Sequence, residues 1–160
     1  MMKRAITPRW ARIAEMSKPI LFYGQHLEYP EFSNFYPASM TIRGKTYRTV
    51  EHWFQASKTK ETRAHEKIRT ASTAAQAKRL GRAVQLRPDW EKVKMEVMRR
   101  GLEAKFTQHG GLKQLLLETG DRAIHEASPS DAIWGWMGGQ GQDLLGKLLM
   151  ETRTKIRKAG

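Results

Sequence analysis

Glu51, Gln55 and Lys58 lie in and just after the stretch Thr49-Val50-Glu51-His52-Trp53-Phe54-Gln55, whose pattern predicts a helix. At helical spacing these three positions are i, i+4 and i+7, so an acid, an amide and an amine form one polar stripe. Val50, Trp53 and Phe54 make an apolar face beside it. Opposite charges next to bulky aromatics suit a site wall better than a solvent face. The plainer role for Glu51 is structural, because Thr49 is a good N-cap and an acid in the first turn complements the helix dipole.

A second acid, Asp131, opens the passage Asp131-Ala132-Ile133-Trp134-Gly135-Trp136-Met137-Gly138-Gly139-Gln140-Gly141-Gln142-Asp143. Gly139 and Gly141 permit close backbone approach to a ligand, and the helix start that follows favours an anion. Trp134 or Trp136 offers a flat face for a base or sugar. Asp143 either joins the site or caps the last helix. The spacing is neither that of a P-loop nor of a dinucleotide-binding turn. Two carboxylates, stacking aromatics and a phosphate-friendly loop suit cleavage of a glycosidic bond. Departure of the leaving group builds an oxocarbenium-like cation that one carboxylate stabilises, while a carboxylate also deprotonates the attacking water.

The elements that must position these groups can be read around them. Ile20–Tyr23 predicts a strand, and residues 24–36 a loop that includes Phe32-Ser33-Asn34-Phe35. Alternation about Gly44 predicts a hairpin over 40–48. Helices follow from near Thr49, from Arg63 to Arg69, and from a Ser72 or Thr73 cap to Gly81. Pro88-Asp89-Trp90 starts a long helix to about Gln108, which Gly110-Gly111 ends before a short helix from Leu112 to Thr119. Ala123–Glu126 reads as a strand, and Leu144, Leu145, Leu148, Leu149 and Ile156 stripe a final helix. The sum is an α+β class: a mostly helical single domain with a small β-sheet or hairpin.

The chain has 160 residues, enough for one domain with a real core. Its formal net charge of +13 favours an anionic partner, either nucleic acid or a phosphorylated small molecule. The absence of Cys excludes disulfides, thiol catalysis and cysteine-ligated zinc. The five His residues show no metal spacing, so neither metal nor other cofactor is expected. No apolar run approaches the ~20 residues needed to span a bilayer, and the cytoplasm is the expected location. Residues 1–19, with Lys3, Arg4, Arg9, Arg12 and Lys18 against Glu15, read as a basic N-terminal extension to a domain over 20–160.

With these residues in view, the chain resembles the NADAR (YbiA-like) N-glycosidases over roughly residues 20 to 157. The resemblance rests on Phe32-Ser33-Asn34-Phe35, Val50 to Ala56 with Lys58, Arg87-Pro88-Asp89-Trp90, Met98, and Ala104-Lys105-Phe106. It continues through Leu115-Leu116 with Thr119, Glu126, Asp131 to Gly135, Leu145-Gly146, Leu148-Leu149-Met150 and Arg153. It implies a largely helical α+β domain that hydrolyses N-glycosidic bonds without a metal. The implied substrates are ADP-ribose on guanine bases, including those of DNA, or phosphoribosyl pyrimidine intermediates of riboflavin synthesis. By position, Glu51 is the implied catalytic carboxylate and Asp131 a second acid. Trp90 and Trp134 become pocket aromatics beside Phe35, and Asn34, Lys58 and Lys105 hold ribose or phosphate oxygens. Two departures stand out: Trp136-Met137 replaces a family Gly or Asp-Gly, and Asp143 replaces a family Asn. They leave open an alternative, a non-catalytic module that binds ADP-ribose or nucleic acid. A plain DNA-binding protein is a third reading, for which no reader motif is present.

Overall fold

The computed structural model describes residues 6–160. Lys3 and Arg4 of the basic extension lie outside the described residues. The chain runs α1 (Arg9–Ser17), β1 (Ile20–Phe22), a 3-10 turn (Pro30–Phe32), β2 (Met40–Ile42), β3 (Lys45–Tyr47), α2 (Val50–Ala56), α3 (Thr62–Arg69) and α4 (Ala74–Arg82). It continues with α5 (Trp90–Gln108), α6 (Gly110–Glu118), β4 (Ile124–Glu126), a 3-10 turn (Met137–Gly139) and α7 (Leu144–Ala159). β1 pairs in parallel with β4, and β2 with β3 as an antiparallel hairpin. The α+β expectation holds. Among the described residues no helix is long and apolar enough to cross a membrane.

Helix α2 lies at the centre, and all seven of its residues are buried. Such burial is costly unless the polar groups find protein partners, and most of those on α2 do. The Thr49 hydroxyl accepts from the backbone N–H of His52 at 3.1 Å, which is the predicted N-cap, and contacts His52 Nδ1 at 2.8 Å. His52 Nε2 reaches the Ala71 carbonyl at 3.0 Å, so the ring carries its proton there and receives the Thr49 hydroxyl at Nδ1. Trp53 Nε1 donates to the Val97 carbonyl of α5 at 2.7 Å. Helices α4 and α5 come close to α2 at Gly81 and Gly101. A β-carbon on Gly81 would overlap the Gln55 side chain, and one on Gly101 would stand 2.7 Å from Trp53 Cδ1.

Around this helix the core collects Phe22, Phe32, Phe106, Leu102, Leu116, Ile124 and Leu149, all essentially solvent-free. Helix α7 is fastened by Arg153, whose Nη1 donates to Thr119 Oγ1 at 2.9 Å and to the Arg122 carbonyl at 2.8 Å. That fixes the turn that feeds β4. One boundary differs from expectation. Gly110 and Gly111 begin α6 instead of separating it from α5; His109 makes the break, extended at φ −121°. Its ring bonds the Ser39 carbonyl, while the Gln108 amide bonds both the N–H and the C=O of Thr41 at 2.8 Å. The turn is thus set by attachment to the hairpin and not by glycine. The basic extension contains α1, which has no buried residue and leaves Trp10, Ile13 and Met16 exposed.

A paired substitution tests the packing around α2. Gly101→Ala forces a methyl against the Trp53 ring and costs about 1–3 kcal/mol in urea denaturation. Gly111→Ala meets no atom within 4 Å and, by helix propensity, gains about 0.5–1 kcal/mol. Equal effects at the two sites would refute the close-packed α2–α5 contact.

Candidate active site

A cleft of about 550 Å³ opens beside α2. Most of its wall comes from the loop after β1, the polar face of α2, helix α4 and the segment after β4, with Met98 of α5 and Leu145 of α7 adding to it. Glu51, Gln55 and Lys58 all line it, as their spacing predicted. The helix is shorter than the stripe, however. It ends at Ala56, and Lys58 arrives through a turn in which its N–H bonds the Gln55 carbonyl at 3.2 Å.

Glu51 is 6% exposed and accepts from Gln55 Nε2 at 2.8 Å, while its backbone N–H is tied to the Asn34 carbonyl at 3.0 Å. Burial pushes its carboxyl above the usual range. The Gln55 amide, Lys78 and Lys58 pull it back, and Asp131 adds to the rise. Lys58 is pushed down from the usual amine range by burial, against the pull of Glu51, with Arg82 and Lys78 adding to the fall. Acid and amine therefore stabilise each other's charge in a half-dry site.

Asp131 lines the cleft as well. Its Oδ1 accepts from the backbone N–H groups of Ile133 and Trp134 at 3.0 and 2.9 Å, which fixes the turn and presents the Trp134 ring. Trp134 packs edge-on against Phe54 at 5.3 Å, and Phe54 packs against Trp90 at 5.0 Å. Asn34 and Phe35 also line the cleft. Asn34 Nδ2 is directed at Met98 Sδ, and its buried Oδ1 has no partner among the described residues.

The cleft therefore gathers Asn34, Phe35, Glu51, Lys58, Asp131 and Trp134, but five expected residues lie elsewhere. Trp90 is buried behind Phe54 and supports the aromatic wall without lining it. Lys105 is wholly buried, donates from Nζ to the Ser33 carbonyl at 2.9 Å, and lies near the Tyr36 and Phe106 rings. It holds the Asn34 loop from behind. Asp143 is buried at the start of α7, with Oδ2 on His125 Nδ1 at 2.7 Å and Oδ1 on the Glu126 N–H at 3.3 Å. Gly139 and Gly141 belong to the loop folded on Trp136, whose carbonyl accepts both N–H groups. That loop turns on left-handed residues Met137, Gly138 and Gly139, and Trp136 stacks on His125 at 4.7 Å. Both departures from the family pattern thus fall outside the cleft lining.

Sequence reasoning missed Lys78 and Arg82 of α4, which line the cleft one helical turn apart, and assigned no role to Glu126, which lines it too. The available cue was a pair of cations flanking Gly81, the point where α4 touches α2. A second hollow of similar volume lies on the other side of α2, lined by Arg43, Lys60, Lys92 and Arg100 with Glu96 as its one carboxylate. It lacks the paired acids that glycosidic chemistry needs. Among the described residues no group of three or more His, Asp or Glu side chains is arranged to hold a metal ion.

A family model described as the NADAR domain matches residues 21–157. The chain is 44% identical over 140 residues to the N-glycosidase YbiA of Escherichia coli, covering 86% of this chain and 88% of that protein. It is 40% identical over 144 residues to an N-glycosidase of Nostoc punctiforme, covering 86% and 92%. A riboflavin biosynthesis protein of Vibrio vulnificus is 40% identical over 146 residues, which cover 89% of this chain and 40% of that longer protein. The NMR structure of the E. coli protein YbiA superposes with a TM-score of 0.82 at 42% identity, covering 89% of this chain and 87% of that one. The chain belongs to the NADAR family.

The placement of Lys105 makes a measurable prediction. Burial lowers its ammonium to about 7, against a smaller opposing pull from Glu31. Above that pH the folded state has lost a proton that the unfolded chain keeps until about 10.4. Stability must therefore rise with pH between these limits through this group. Urea midpoints at pH 7, 8 and 9 should climb for wild type relative to Lys105→Met. Parallel curves would place the amine in solvent instead.

Proposed function

We propose that this NADAR-family protein is an N-glycosidase acting on a ribosylated, phosphate-bearing substrate. ADP-ribose on guanine, in DNA or nucleotide, is the leading candidate, with phosphoribosyl intermediates of riboflavin synthesis second. The observation that carries the reading is one cleft that joins Glu51 and Asp131 to Phe35 and Trp134 and to the cations Lys58, Lys78 and Arg82. The names of relatives at 40–44% identity, two N-glycosidases and a riboflavin biosynthesis protein, support it independently.

In this mechanism the bond between C1′ and the base nitrogen breaks with its electron pair passing to the base. Positive charge builds on C1′ and is stabilised by Glu51. Glu51 then takes the proton of the attacking water, a task suited to a carboxylate whose basicity burial has increased. Asp131 positions the ribose through the oxygen that the Trp134 turn does not use. The unpartnered Asn34 Oδ1 accepts a ribose hydroxyl, because an acceptor buried without a donor is costly until the substrate supplies one. Lys58, Lys78 and Arg82 neutralise phosphate oxygens, and Phe35 and Trp134 flank the base. The net charge of +13 favours the nucleic-acid-linked substrate and suits a cytoplasmic setting where such polyanions occur. The binding-module alternative drew its support from the altered 136–143 loop. With that loop outside the lining, hydrolysis is the stronger reading.

Glu51→Gln keeps the shape and the Gln55 contact while removing charge and basicity. Turnover should fall by about 10²–10⁴-fold, with the thermal midpoint close to wild type. The measurement is chromatographic release of ADP-ribose from ADP-ribosylated guanine DNA, run beside a riboflavin-pathway phosphoribosyl intermediate. Turnover retained by the variant would refute the assignment of Glu51. Tight binding by wild type with no release would replace the enzyme with a binding module.

A further inference from the structure

Glu126 is the third carboxylate of the cleft, and the mechanism above does not use it. It ends β4, and its backbone is clamped on both sides. Its N–H bonds Asp143 Oδ1 at 3.3 Å, and its carbonyl accepts from the Trp136 N–H at 2.8 Å. Its Oε2 accepts from the Ser128 N–H at 3.2 Å and packs over Gly135, where a β-carbon would stand 2.8 Å away. Among the described residues no donor reaches its other oxygen, and no ion pair engages it. The side chain is therefore aimed, with one oxygen available in the cleft.

The three acids sit in different company. Glu51 has an amide donor and two lysines to favour its anion. Asp131 commits one oxygen to two backbone N–H groups. Glu126 faces other acids: Asp131 from the following loop and Asp143 from the start of α7, the latter bonded to His125. Among the charged groups of the described residues, Lys78 from α4 opposes them. In a chain with 29 Lys and Arg against 16 Asp and Glu, an acid placed among acids is one whose neutral form is favoured.

We infer that Glu126, in its protonated form, is the general acid that gives a proton to the departing base. This rests on the N-glycosidase reading and completes its proton balance. The C1′–N bond breaks, the electron pair passes to the base nitrogen, and the base is neutralised by the proton from Glu126. The water oxygen bonds C1′, and the water proton passes to Glu51. Glu126 ends as a carboxylate and Glu51 as an acid, and exchange with solvent resets both. Two carboxyl groups in environments that separate their roles are what such a reaction requires. Burial first, then Asp131 and Asp143, raises the Glu126 carboxyl to about 7, against the Ser128 N–H and Lys78.

The test compares two substrates: an ADP-ribosylated guanine oligonucleotide, and a 4-nitrophenyl ribofuranoside 5-phosphate whose phenolate leaves without a proton. Wild-type turnover of the first should fall about tenfold per pH unit above pH 7, and turnover of the second should lack that limb. Glu126→Gln should lose about 10²–10⁴-fold on the oligonucleotide and less than about tenfold on the nitrophenyl substrate. Equal losses on both, or a wild-type alkaline limb that ignores the leaving group, would overturn the assignment. No turnover of either substrate by wild type would overturn the hydrolase reading beneath it. The wild-type comparison needs no variant, so a folding defect in Glu126→Gln does not spare the proposal.

Discussion

The structure depends on a helix all of whose residues are buried. α2 is seven residues long, too short to be stable by itself, and carries Glu51, His52 and Gln55 into the interior. Most of their polar atoms are answered by a fixed partner: Thr49 and Ala71 for His52, Gln55 Nε2 for Glu51, and the Asn34 carbonyl for the Glu51 N–H, while Gln55 Oε1 has none among the described residues. Thr49 and Gln55 belong to the helix and its cap, whereas Asn34 and Ala71 lie on loops outside it. The demand to satisfy α2 therefore organises the hairpin, α3, α4, α5 and the loop after β1 around it.

The same constraint gives the cleft its character. Glu51 is held in one orientation by its own helix and sits between a lysine of the following turn and a lysine of α4. On the other wall, parallel pairing of β1 with β4 brings Phe22 opposite Glu126 and starts the turn that carries Asp131. The acidic groups thus come from two rigid units and the cations from a helix end and a neighbouring helix. Preorganisation of this kind lets charges act on a reacting centre without first reorienting.

Much of this was legible in the residues. The spacing of Glu51, Gln55 and Lys58 identified their common face, and the Thr49 cap was visible. Most elements fall where periodicity put them. What stayed hidden depends on tertiary packing. Nothing local distinguishes Trp90, buried behind Phe54, from Trp134 at the rim, and nothing marks Lys105 as a lysine turned inward to a carbonyl. Lys78 and Arg82 read as an ordinary solvated helix face until α4 is docked on α2. Glu126 gains meaning only from Asp131 and Asp143, which a parallel crossover and a loop bring to it. The N-terminal helix escaped notice because charge obscured its short apolar stripe.

Gly81 has a consequence for what the cleft admits. It lies between Lys78 and Arg82 and lets the α4 backbone rest directly on the Gln55 side chain, so the cationic row is held close to the helix that carries Glu51. That spacing acts as a ruler. On the proposed function, a ligand would place its phosphate against α4 while its sugar meets α2, and the helix-to-helix spacing at Gly81 would set that span. Selection among related ribosides would then be made by the distance from phosphate to anomeric carbon, with the identity of the base a secondary criterion.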